Sequence, residues 1–140
     1  MSTYVVDASV AVKWFLPELD SETAFRLRDP SHKLLAPDYL WLEVSSVVCQ
    51  RIQKKQILPE EGLQILPELK RFAIQLFPSA DLLHSATHMA IETSTSFYDC
   101  LYLSLAVSQN AQMVTADRKF CRALDPNQFA NRVMWIGNIR

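Results

Sequence analysis

The chain has 140 residues, 49% of them hydrophobic, and 14 basic against 15 acidic side chains give it a net charge of −1. That length supports one compact domain with its own apolar core rather than two, and the near-neutral balance excludes the global basicity by which many nucleic-acid binders announce themselves. Cys49, Cys100 and Cys121 are odd in number and show no CxxC spacing, so they read as free thiols of a reducing compartment, with zinc not expected. Only two glycines occur, which excludes Gly-rich phosphate loops. With no basic leader and no long hydrophobic run at its start, the expectation is a soluble cytoplasmic protein with no membrane contact.

Short β-rich runs alternate with helical ones. Residues 3–6 read as a strand, 10–16 as a helix stopped by Pro17, and 21–28 as a second short helix. A short strand over 34–36 leads into a long helix from an N-cap at Asp38 to residue 55. The stretch 60–72 is helical, with Pro67 marking a kink or a break. A strand over 74–77, helices over 80–92 and 96–110, a strand over 113–115, a short helix over 118–124 and a last strand over 133–136 complete the chain. This alternation predicts an α/β fold: one domain over 1–140, with a central parallel β-sheet flanked by helices on both faces.

Four acids sit in surroundings that otherwise read as core: Asp7 in YVVDASVAV, Glu43 in LWLEVSSVV, Asp99 in FYDCLYLSLA and Asp117 in MVTADRKF. A buried carboxylate must be paired, protonated or bound to a cation. Asp7 and Asp117 each follow a strand, and open parallel sheets form their sites beyond the carboxyl ends of strands. In the long helix the stripe Leu40, Val44, Val47 and Val48 leaves Glu43 only about 40° from Val47 at ~100° per residue.

Each acid has a structural alternative. Asp7 and Asp117 are in position to cap the helices that follow them, with Ser9 as a rival cap for the first and Thr115 in the turn that leads to Asp117. Asp99 suits the first turn of a helix dipole, and the stem of Glu43 can pack while its head reaches water. All four would have to be structural at once, and the joint reading favours one oxygen-lined site. Such a site suits Mg²⁺ or Mn²⁺, as one or two ions, and not zinc; His84 and His88 have i, i+4 spacing but no HExxH. Carboxylates holding hard cations suit phosphodiester hydrolysis, with Ser9 and Thr115 placed to hydrogen-bond water or phosphate.

These residues make the chain resemble PIN-domain ribonucleases, and specifically the VapC toxins of type II toxin–antitoxin pairs. VVDASVAVKWFLPE, PDYLWLEVSSVV, SFYDCLYLSLA and VTADRKF match that family's acidic motifs in order over nearly the whole chain. The resemblance implies that Asp7, Glu43, Asp99 and Asp117 are metal-binding catalytic acids supported by Ser9 and Thr115. Lys13, and Arg118 and Lys119 in the basic group directly after Asp117, are candidate RNA contacts. It also implies a homodimer and a small VapB-like antitoxin that often inserts a basic residue among the acids. Many relatives carry Asn three residues after the helix glutamate, where this chain has Ser46, and Ser46 is given no role.

Two other phosphoryl-handling folds share the architecture. A receiver domain needs an acidic pair after its first strand, where VVDAS has one acid; a haloacid-dehalogenase-type phosphatase needs DxD, where Ser9 holds the second place. Two further alternatives stay open: a catalytically inactive PIN-like interaction module whose acids hold a partner's Arg or Lys, and an RNA-processing nuclease without an antitoxin.

Overall fold

The computed structural model describes residues 2–125 and 128–139. Five strands, β1 (Thr3–Val6), β2 (Lys33–Pro37), β3 (Ile74–Phe77), β4 (Gln112–Thr115) and β5 (Val133–Trp135), form one sheet in the order β3-β2-β1-β4-β5. Every pairing is parallel, with Val5 beside Leu35 and Val6 beside Val114. Val5, Val6, Leu35, Ala36, Met113 and Val114 are all buried. Continuous apolar runs of this kind belong to strands covered on both faces.

The chain winds outward from β1 to β2 and β3, then crosses back to lay β4 on the other side of β1. Right-handed crossovers in opposite directions put helices on opposite faces and open a crevice where the order reverses, beyond the ends of β1 and β4. The helices are α1 (Ala8–Ala11), α2 (Ser21–Phe25), α3 (Tyr39–Gln53), α4 (Pro59–Leu69), α5 (Leu83–Thr93), α6 (Phe97–Ser108) and α7 (Arg118–Leu124). Helix α6 packs on β1, β2 and β4, with every residue from Cys100 to Ala106 buried. Among the described residues no helix is long and apolar enough to cross a membrane.

Three details depart from expectation. The helix expected over 10–16 starts earlier, at Ala8, because Asp7 caps it, and it tightens into a 3-10 turn over Val12–Trp14. Pro67 does not break its helix, since α4 runs on to Leu69; the carbonyl it leaves without a donor belongs to Leu63, whose side chain is exposed, so water can satisfy it. Asp38 stands at the N-cap of α3 without capping it. Its Oδ1 accepts from Ser79 N at 3.0 Å, and Ser79 Oγ accepts from Tyr39 N at 3.0 Å, so the cap arrives from the segment after β3.

Candidate active site

Asp7 directly follows β1 and is almost fully buried. Its Oδ1 accepts from Val10 N at 3.1 Å, which makes it the cap of α1, and from Ser9 Oγ at 2.6 Å. Its Oδ2 accepts from Thr115 Oγ1 at 2.6 Å. Ser9 Oγ in turn accepts from Ala116 N at 3.0 Å, and Thr115 Oγ1 from Asp117 N at 3.1 Å. The two hydroxyls therefore stitch the end of β1 to the end of β4. Asp117 caps α7, its Oδ1 accepting from Phe120 N at 3.1 Å, while its side chain stays exposed to the crevice. Capping and site membership prove compatible: the helix ends hold these carboxylates at the strand ends.

Glu43 lies one turn into α3, half-buried, and its Oε1 accepts from Tyr102 Oη at 2.6 Å. Asp99 sits in the first turn of α6, where Ser96 is the N-cap and accepts from Tyr98 N and Asp99 N. No hydrogen bond engages the Asp99 carboxylate among the described residues.

The acids share one electrostatic field. Burial pushes Asp7 up to about 7 against the hydrogen bonds of Ser9 and Thr115, and the Glu43 charge adds to the rise. Burial, then Asp117, then Glu43 push Asp99 up to about 6. Burial raises the Cys121 thiol to about 11, with Asp117 and Asp7 contributing. The Tyr102 phenol is pushed far above its ordinary value by burial and by its bond to Glu43. The phenol therefore keeps its proton and donates it to Glu43.

Tyr102 was not singled out from the sequence. The available signal was a tyrosine three residues after Asp99 inside an otherwise apolar helix, since a buried phenol needs a partner.

Lys13 departs from its expected role as an RNA contact. It is buried, with Nζ donating to Leu19 O at 2.6 Å and to Glu18 Oε1 at 3.2 Å, while Arg51 Nη2 donates to Glu18 Oε2 at 2.7 Å. A cation committed to inward partners has little left for a phosphate. Arg118 and Lys119 do lie exposed in the first turn of α7, with the Arg118 guanidinium 4.0 Å over the Trp135 ring. Ser46 is exposed, and so are His84 and His88 on α5.

Among the described residues, no three His, Cys, Asp or Glu side chains converge closely enough to make a ready-made metal site. The donor set nevertheless suits a hard divalent cation: oxygen only, with raised affinity for positive charge and lone pairs to spare. Asp7 has one left, on Oδ2, and the oxygens Glu43 Oε2, Asp117 Oδ2 and both of Asp99 carry no hydrogen bond among the described residues.

Known proteins share this fold. The PIN domain family profile matches residues 4–124. The chain is 28% identical over 117 residues to Ribonuclease VapC3 of Pyrobaculum aerophilum, covering 82% of this chain and 89% of the relative. The crystal structure of VapC20 from Mycobacterium tuberculosis, described as a Sarcin-Ricin loop cleaving toxin, superposes with a TM-score of 0.66 at 16% identity, covering 86% of this chain and 94% of the other. VapBC2 from Rickettsia felis, solved bound to a promoter DNA fragment, gives 0.64 at 14% identity over 95% and 98%. With the profile spanning both strand-end acids and the two helices that carry Glu43 and Asp99, the chain belongs to the PIN-domain family.

Proposed function

We propose that this chain is a divalent-metal-dependent endoribonuclease that acts in the cytoplasm as the toxin of a toxin–antitoxin pair, as a homodimer held in check by a small VapB-like antitoxin. The observation that carries the reading is the stitching of Asp7 to Thr115 across the β1/β4 crevice, with Glu43, Asp99 and Asp117 in the same field. Support for the RNA substrate and for the partner comes from the relatives: one is named a ribonuclease, one is described as cleaving the Sarcin-Ricin loop, and one is a VapBC assembly.

The four acids would hold Mg²⁺ or Mn²⁺, one ion or two, which when bound makes a water nucleophilic at neutral pH and offsets charge on the leaving oxygen. Ser9, Val10 N and Thr115 fix the Asp7 carboxylate and leave one lone pair of Oδ2 for a cation. Tyr102 fixes one oxygen of Glu43 and leaves the other for the site. Arg118 and Lys119 stand beside Asp117 to meet phosphates. An antitoxin Arg or Lys placed among the carboxylates would satisfy them by charge-assisted hydrogen bonds and compete with the cation.

The test is cleavage of total cellular RNA by the purified chain with and without Mg²⁺ or Mn²⁺, followed by end mapping. Attack by water with the 3′ oxygen leaving gives 5′-phosphate and 3′-hydroxyl ends. Metal-independent cleavage, or 2′,3′-cyclic phosphate ends, would overturn the mechanism.

A further inference from the structure

A groove of about 320 Å³ opens directly from the acid crevice, lined by Ser94, Thr95, Ser96, Asp99, Asp117, Lys119, Phe120 and Ala123. It runs between the turn joining α5 to α6 and the side of α7 that carries Lys119, Phe120 and Ala123. We propose that this groove seats one unpaired nucleoside of the RNA substrate, next to the phosphate that is cut. The inference rests on the ribonuclease reading and adds to it where the substrate is gripped.

Three features of the groove converge on that occupant. Its volume falls within the range of small-ligand pockets, about 300–1,000 Å³, so it suits one base with its sugar and is too small for a duplex. Its wall combines apolar surface from Phe120 and Ala123 with a rim of hydroxyls, as a flat aromatic base with polar edges requires. Its inner end is formed by Asp99 and Asp117, so whatever lies in it is adjacent to the site of cleavage.

The hydroxyls are not equivalent. Thr93 Oγ1 donates to Met89 O at 2.6 Å, so the 2.7 Å contact between Thr93 and Thr95 takes the proton of Thr95. Cys100 Sγ, 3.2 Å from Thr95 Oγ1, is then the donor of that contact. Thr95 is committed inward. Ser96 Oγ only accepts, from Tyr98 N at 3.2 Å and from Asp99 N at 3.5 Å, and its proton has no acceptor among the described residues. Ser94 makes no hydrogen bond through its hydroxyl among the described residues, and its backbone is left-handed, with φ 56°. Ser94 and Ser96 therefore supply donors toward base or ribose oxygens, and Lys119 supplies the cation for a neighbouring phosphate.

The test is binding, separated from turnover, in the Glu43→Gln protein, because Glu43 does not line the groove. Mixed-sequence single-stranded oligoribonucleotides and an RNA duplex are titrated by fluorescence anisotropy. Ala123→Leu fills the groove from an exposed helix position without adding a ring to stack on. It is expected to weaken single-strand binding by about ten-fold, within the range that loss of a base contact gives, and to leave duplex binding unchanged. Lys119→Ala, also exposed and independent of any repacking, is expected to weaken binding and to lower the salt slope by about 1. In the otherwise wild-type chain, Ala123→Leu should also change which nucleotide is found beside the mapped cut. If Glu43→Gln binds RNA and Ala123→Leu binds it equally well, the groove proposal falls and the ribonuclease reading stands. If Glu43→Gln binds no RNA, the groove proposal falls, while the ribonuclease reading is decided by cleavage with the unaltered chain.

Discussion

The Tyr102 phenol donates a 2.6 Å hydrogen bond to Glu43 Oε1 and so ties the buried helix α6 to the long helix α3 at the level of the acids. The ring is wholly buried and its hydroxyl has this one partner among the described residues. Glu43 is only half-buried, so losing the bond leaves no buried carboxylate stranded. Tyr102→Phe should therefore change the melting temperature little while letting the Glu43 head swing. Because water can replace the phenol at the Glu43 oxygen, the bond's net contribution to folding is about 0.5–1.5 kcal/mol, whereas cleavage is expected to drop about ten-fold. Steady-state cleavage beside a thermal melt checks this; a large loss of stability with unchanged activity would make Tyr102 a purely structural residue.

Thr115 holds the opposite corner. Its buried hydroxyl donates to Asp7 Oδ2 and accepts from Asp117 N. Thr115→Val removes a donor that favours ionised Asp7 and leaves a backbone N–H without its partner. The expected cost is about 1–3 kcal/mol. Asp7 should then ionise only at higher pH, moving the acid limb of the cleavage profile upward. An unmoved limb would show that Thr115 does not tune Asp7.

The metal-free fold should be least stable where the site is most charged. Asp7 and Asp99 have folded values near 7 and 6, above the ordinary 3.8. The folded state therefore holds protons that the unfolded state has released. The stability these two groups contribute is complete below the ordinary value and is lost as pH rises through 6 and 7. In chelator the melting temperature should fall between about pH 5 and about pH 8. Mg²⁺ or Mn²⁺ should restore it at the alkaline end. Asp99→Asn should abolish cleavage, melt higher than wild type in chelator near neutral pH, and respond less to metal. A lower melt with an unaltered metal response would mark Asp99 as a plain first-turn helix residue.

Lys13 predicts the opposite pattern. Its ammonium is enclosed by Leu19 O and Glu18, and the three-residue cluster with Arg51 links the turn after α1 to α3. Burial alone would raise the Glu18 carboxyl, but Arg51 and Lys13 hold it below the usual range. Lys13→Met should lower the melting temperature by several degrees, in line with the loss of a buried charged partner at about 1–3 kcal/mol. RNA affinity of the folded variant should be unchanged. Weaker RNA binding at equal stability would return Lys13 to the substrate surface.

The sequence by itself determined what local patterning encodes. Apolar runs with carboxylates at their ends marked β1 and β4, the short helix over 118–124 was legible to the residue, and the alternation of elements gave the parallel sheet. The acids could be found because a charge in an apolar run is anomalous wherever it occurs. What the tertiary structure decided depends on contacts between segments far apart in the chain. Ser79 caps α3 from 40 residues away, Thr115 reaches Asp7 from 108, and Tyr102 meets Glu43 from 59. Lys13 shows the same limit from the other side: a lysine in an apolar stretch was open to a role at the surface until the turn carrying Glu18 folded back over its ammonium. Hydrophobic periodicity fixes which face of an element is buried, but a polar side chain's partner is set by which elements the sheet order brings together, and no local pattern records that.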